Sequence, residues 1–295
     1  MKSVSLVLGS GGARGLAHIG IIHWLEEHGY HIQSISGCSM GALIGGIYAA
    51  GKLDDFENWV RAITKLDIIT LLDVSWSKSG LVKGDKIINT LIDLVGDIKI
   101  QDLPIRYTAV AADVNEEKEI WINSGRLFDA IRASISLPMF FTPHYYKGAH
   151  LIDGGVLNPV PIAPTFSDDT DITLAVNLGG KLIVKPTESN NNNHQKKQNN
   201  RGINEKINNY IQQLKQKLDL PHDIDWGAYD IANQAFDAMQ STIARQKLAA
   251  YPPDRSIEIA RNACGTLEFD RADEMISLGY RKAQESLGKS GNGPN

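Results

Sequence analysis

The chain has 295 residues, 42% hydrophobic and 22% charged, with a formal net charge of −4. That length and composition describe a globular protein with a sizeable core. The mild acidity gives no reason to expect nucleic acid as a partner, since phosphate binding wants a basic face. Two cysteines, Cys38 and Cys264, are too few for a disulfide framework and have no metal-ligand spacing. No run of about 20 apolar residues suggests a membrane span. The N-terminal apolar run is too short for a signal peptide, so a cytoplasmic location is expected, with or without peripheral membrane contact.

The elements begin with Ser3–Leu8, short and β-branched like a buried strand. A glycine loop, Gly9–Gly15, leads into Leu16–His28, whose apolar residues recur at helical spacing and stop at Gly29. Ile32–Ser36 reads as a second strand and Met40–Ala50 as a second helix ended by Gly51. This strand–helix alternation predicts a mostly parallel sheet with helices on both faces. Further strands are expected at Arg106–Ala112, Glu119–Ile122, His150–Ile152 and Ile172–Val176. Further helices are expected at Asp54–Ile63, Lys86–Leu94, Leu127–Ser134, Trp226–Ala249 and Arg271–Leu287.

Residues 1–180 form the expected catalytic core. Thr187–Arg201 is polar and rich in Asn and Gln, so residues 187–202 are expected to be a disordered loop. A helical C-terminal region, 203–288, and a frayed tail, 289–295, complete the layout. Ile203, Ile207, Ile211, Leu214 and Leu218 form an apolar stripe among lysines and glutamines. It fits a helix packed on the core, with a lipid-facing helix or a lid as alternatives.

Three stretches carry chemistry. The loop Gly9-Ser10-Gly11-Gly12-Ala13-Arg14-Gly15 follows a strand and opens a helix, so its N–H groups can converge on an anion. It lacks the Lys-Ser/Thr ending of a P-loop, and Arg14 stands where a dinucleotide fingerprint needs glycine. An oxyanion hole requires only well-aimed backbone donors, which this loop can supply. Gly37-Cys38-Ser39-Met40-Gly41 places a serine between a strand and a helix, the setting of a nucleophile elbow. Cys38 reads as a small buried apolar group.

A serine nucleophile needs a base. Of eight histidines, only His194 and His222 fall late enough for the chain order of an α/β-hydrolase triad, and both sit in polar, irregular surroundings. Asp153, at a strand end before Gly154-Gly155, is better held; the competing reading is a turn aspartate bonding its own backbone. His18 reads as a satisfied core histidine. Arg132 reads as a brace for the site. Arg14 reads as a structural arginine or a phosphate ligand.

"GSGGARGLAHIG", "GCSMG", "RASISLPMFFTP" and "DGGVLNPVP", in this order, resemble the patatin-like phospholipases, in particular their bacterial branch related to neuropathy target esterase. The blocks span Val4–Pro161. The resemblance implies a three-layer α/β/α sandwich and a Ser39–Asp153 dyad. It also implies an oxyanion hole from the N–H groups of Gly11, Gly12 and Ala13, with Arg14 in the same loop. Ser10 departs from the glycine usual in the family. The expected activity is hydrolysis of a lipid carboxylic ester, of phospholipase A or lysophospholipase type, without metal or organic cofactor. A nucleotide-binding oxidoreductase using Gly9–Gly15 and a non-catalytic regulatory protein are the alternatives.

Overall fold

The computed structural model describes residues 1–71, 81–183 and 226–288. The loop at 187–202, the 203–218 stripe, His194, His222 and the tail lie outside the described residues. The chain divides into two compact units, one of Met1–Ile183 with Phe236–Asn295, the other Val184–Ala235. The first carries the sheet and the site.

The strands are β1 (Lys2–Leu8), β2 (Tyr30–Cys38), β3 (Arg106–Asp113), β4 (Lys118–Ile122), β5 (His144–Tyr146), β6 (Ala149–Asp153), β7 (Ile172–Gly180) and β8 (Arg255–Ala260). The helices are α1 (Ala17–Glu27), α2 (Met40–Ala49), α3 (Leu53–Ala62), α4 (Lys65–Leu71), α5 (Asp85–Val95), α6 (Leu127–Ser134), α7 (Trp226–Ala250) and α8 (Ala272–Leu287). The sheet order is β5-β6-β3-β2-β1-β7-β8, with β4 also paired to β3. Strands β3-β2-β1-β7-β8 run parallel. β4 and β6 lie antiparallel to β3, and β5 antiparallel to β6.

Side-chain alternation assigns the two faces. Val4, Leu6 and Leu8 of β1 and Leu174, Val176 and Leu178 of β7 join the main core, with residues of α1, α2, α5, α6 and α8. Val7 and Ala175, on the opposite pleat, pack with Val160, Ile162 and α7 residues Ala244 and Leu248. Apolar residues on both pleats require cover on both sides, and the result is a three-layer α/β/α sandwich. Against α1, α8 crosses very closely: a Cβ on Gly20 would lie 1.9 Å from the Ile276 carbonyl oxygen, and one on Gly279 1.9 Å from that of Ala17.

Three elements were not anticipated: α4, β5 and β8. β5 has three residues, too few for a periodic signal. β8 adds an edge strand within the stretch expected to be helical after residue 203. Its alternating "RSIEIA" acquires meaning only beside β7.

Candidate active site

Ser39 follows β2 directly and α2 begins at the next residue. Its backbone has φ 55° and ψ −122°, a region a residue with a side chain rarely occupies. The flanking glycines permit this corner. A Cβ at Gly41 would lie 2.0 Å from the Leu8 carbonyl oxygen, and one at Gly37 2.5 Å from that of Gly41. The Ser39 N–H donates to Ser134 Oγ (2.9 Å), and the Ser39 carbonyl accepts from Leu43 N–H (3.0 Å). The positive end of α2 therefore faces the serine.

Topology brings Asp153 to the same place. β3 lies between β2 and β6, with Cys38 aligned to Val110 and Asp153 to Ala111. Strand ends 115 positions apart thus become neighbours. Asp153 Oδ1 accepts from Gly155 N–H (2.8 Å) and, weakly, from the Cys38 thiol (3.8 Å). The turn-aspartate geometry is present, but it occupies one carboxylate oxygen only. Oδ2 is buried without a hydrogen-bond partner. The Ser39 hydroxyl favours the ionised form of this carboxyl. Complete burial (0% exposed) outweighs Ser39, Gly155 and Cys38, and lifts the Asp153 pKa to about 6. Cys38 is buried, and desolvation together with the Asp153 charge pushes its pKa well above the ordinary value, so it stays a thiol.

The glycine loop lies across the strand ends. Gly9 N–H donates to Val176 O (3.0 Å) and Ser10 N–H to Pro159 O (2.8 Å). Gly12 has φ +57°, a left-handed turn. The Ala13 N–H, expected to face an oxyanion, donates to Thr266 O (2.9 Å), because a short 3₁₀ turn over Gly12–Leu16 directs it toward that segment. Among the described residues, no carbonyl takes the N–H of Gly11 or Gly12. Arg14 turns its guanidinium into the protein. It donates to Gly11 O (2.9 Å), to Arg261 O and to Asp237 Oδ1 (2.8 Å). Arg14 is therefore a clamp on the loop. Ser10 Oγ accepts from Gln240 Nε2 (3.2 Å). His18 Nε2–H donates to Gly9 O (2.9 Å), and burial lowers its pKa to about 4, so it supports the loop as a neutral imidazole.

Ser39 and Gly12 open onto a cleft enclosing about 860 Å³ of empty space, part of it open to solvent. Phe56, Trp59 and Val60 of α3, Ile87 and Leu91 of α5, and Leu137, Phe140 and Leu267 are among its walls. The apolar lining suits an acyl chain or other hydrocarbon group. One group of potential metal ligands exists among the described residues, His23, Asp54 and Glu57. Glu57 is already held by His23 and Arg61, and none of the three lines the cleft.

Arg132 braces the neighbouring segment, donating to Ser136 Oγ (2.6 Å), Thr142 O (3.0 Å) and Lys83 O. Ser134, Ser136, Asp237, Gln240 and Thr266 were not singled out in the sequence. Ser134 and Ser136 sit inside a recognisable block but resemble ordinary helix-end serines, while Asp237, Gln240 and Thr266 carry no local signal.

A patatin-like phospholipase family model matches residues 6–166. An uncharacterised NTE family protein of Mycobacterium tuberculosis (strain ATCC 25618 / H37Rv) is 36% identical, covering 96% of this chain and 91% of that protein. Lysophospholipase NTE1 of Eremothecium gossypii is 31% identical over 60% of this chain and 12% of that protein. The crystal structure of VipD from Legionella pneumophila aligns with a TM-score of 0.45 and 14% identity, covering 96% of this chain and 66% of that one. The chain belongs to the patatin-like phospholipase family, in its NTE-type branch. That membership supports a lipid-hydrolysing activity.

Proposed function

We propose that the protein is a serine acyl hydrolase that cleaves carboxylic esters of lipids through Ser39 and Asp153. The observation that carries this reading is a strained serine that lines an apolar cleft and acts on a buried carboxyl whose Oδ2 has no hydrogen-bond partner. Asp153 Oδ2 accepts the Ser39 proton as Oγ attacks the ester carbonyl. The tetrahedral oxyanion is held by the N–H groups of Gly11 and Gly12, with the N-terminus of α2 adding positive potential. Asp153 returns the proton to the departing alcohol, leaving an acyl-serine. Water, deprotonated by Asp153, releases the fatty acid and restores the hydroxyl. The cleft would hold the acyl chain by burial.

The Gly9–Gly15 loop favours this over nucleotide binding. A Cβ at Gly11 would lie 2.6 Å from Leu178 Cβ, and one at Gly12 2.5 Å from Thr266 O. Those sides of the loop are filled by protein, where a pyrophosphate would need room.

No helix of the described residues is long and apolar enough to cross a membrane. Leu267 at the cleft and Met139, next to the lining residue Phe140 in sequence, are exposed, which suits substrate drawn from a lipid aggregate.

A fluorophosphonate probe tests the assignment. We expect labelling of the wild type at Ser39 and none of Ser39→Ala, with loss of ester hydrolysis. Activity should rise with pH through about 6, as Asp153 ionises. An unlabelled wild type, or an active Ser39→Ala, would remove Ser39 from the nucleophile's role.

A further inference from the structure

We infer that Ser134 is a positioning residue that sets the Ser39 corner relative to Asp153; this rests on the dyad reading above. Ser39 occupies a backbone region that a residue with a side chain holds only when its surroundings over-determine it. Its carbonyl is fixed by α2, through Leu43 N–H. Its N–H has one acceptor, Ser134 Oγ, at 2.9 Å. Ser134 is itself fixed: it lies at the end of α6, is 0% exposed, and its hydroxyl donates to Val110 O at 2.7 Å.

Val110 is the β3 residue aligned with Cys38, and its carbonyl also lies against Gly154, where a Cβ would come within 2.2 Å. One carbonyl thus anchors the serine that holds Ser39 and meets the turn that follows Asp153. Two residues beyond Ser134, Ser136 O accepts the Asp153 N–H at 2.9 Å. The segment Ser134–Ser136 therefore touches the backbones of both members of the dyad. Arg132 tethers it through Ser136 Oγ. Neither Ser134 nor Ser136 is among the cleft-lining residues, so both act through Ser39 and Asp153.

Removing the Ser134 hydroxyl leaves the Ser39 N–H without its acceptor and frees the corner to relax toward an ordinary backbone conformation. A displacement on the order of 1 Å at a reacting group costs about 100-fold in rate. A Ser134→Ala variant is expected to lose about 10- to 100-fold in kcat on a soluble p-nitrophenyl ester, with KM within about two-fold. The rate of fluorophosphonate labelling should fall by the same factor. Ser134→Thr keeps Oγ and is expected to restore most of the activity.

Ser39→Ala is measured in parallel. If it retains activity, the dyad reading fails and the positioning role with it. If Ser39→Ala is inactive while folded Ser134→Ala has wild-type kcat, or loses activity through KM alone, only the positioning role is overturned. Should Ser134→Ala not fold, the nearly isosteric Ser134→Cys, whose thiol is a poor acceptor, carries the same expectation and the same refutation. Failure of both to fold while Ser134→Thr folds would make Ser134 a scaffold residue and overturn the assignment.

Discussion

The two sides of the Gly9–Gly15 loop are built from different forces. Toward the cleft, Ser39 and Gly12 face a wall of aliphatic and aromatic side chains with almost no polar atom. Behind the loop, Ser10, Arg14, Asn177, Asp237, Gln240 and Ser241 are among the residues around a small cavity, and directed hydrogen bonds join Asp237 to Arg14 and Gln240 to Ser10. Burial of apolar surface is non-directional and grows with area, so it holds a flexible chain without fixing its atoms. Hydrogen bonds are directional and fix donors to fractions of an ångström. The division suits the proposed reaction, in which a hydrocarbon is held loosely and two backbone donors tightly.

The largest effect should come from the residue between the two sides. Asp153→Asn is expected to reduce turnover by on the order of 10³-fold or more, as loss of a general base does. The same change should stabilise the fold at alkaline pH. Burial raises the Asp153 pKa from 3.8 to about 6, so the folded state binds this proton more tightly than the unfolded chain. Stability therefore falls as pH rises between those values, by on the order of 2–3 kcal/mol. The melting temperature of Asp153→Asn should exceed that of wild type at pH 8, and the excess should vanish near pH 4. No pH-dependent difference would mean that the carboxyl is solvated, with an ordinary pKa.

The polar side is probed at Arg14. Arg14→Met retains bulk but removes bonds to Gly11 O, Arg261 O and Asp237. A loss of about 2–3 kcal/mol is expected from charged hydrogen bonds of this kind. The expected drop in kcat, about 10-fold, reflects a loosened donor loop, and chain-length preference should be unchanged. A variant with altered chain-length preference would place Arg14 in substrate contact.

The apolar side should give the smallest and most graded response. Each methylene buried is worth about 0.8 kcal/mol, so kcat/KM across a series of acyl esters should rise by up to about 4-fold per CH₂ until the cleft is full. Leu267→Asp at the cleft should flatten that slope for the longer chains and leave the shortest esters unaffected. A slope indifferent to this change would put the acyl chain elsewhere.

Much of the site was legible because its chemistry is local. The corner at Ser39 depends on Gly37 and Gly41, two residues either side. The helix expected over Leu127–Ser134 is observed over the same residues. Asp153 was readable from a strand end followed by two glycines. What escaped depends on distant partners. The Ala13 N–H turns to Thr266, some 250 positions away, and Arg14 finds Asp237. Ser134 looks like an ordinary helix-end serine until the Ser39 N–H is seen to rest on it.

By itself the sequence determined the alternation of strand and helix, the glycine corners and the presence of a serine and an aspartate at strand ends. Periodicity, steric freedom at glycine and turn chemistry act over a few residues, so neighbours along the chain encode them. Tertiary structure alone decided that β3 would stand between β2 and β6 and bring Ser39 beside Asp153. It also decided which loop amides remained open and which walls enclosed the cleft. Those outcomes depend on strand order and packing between elements far apart in sequence, for which no short stretch of residues carries the information.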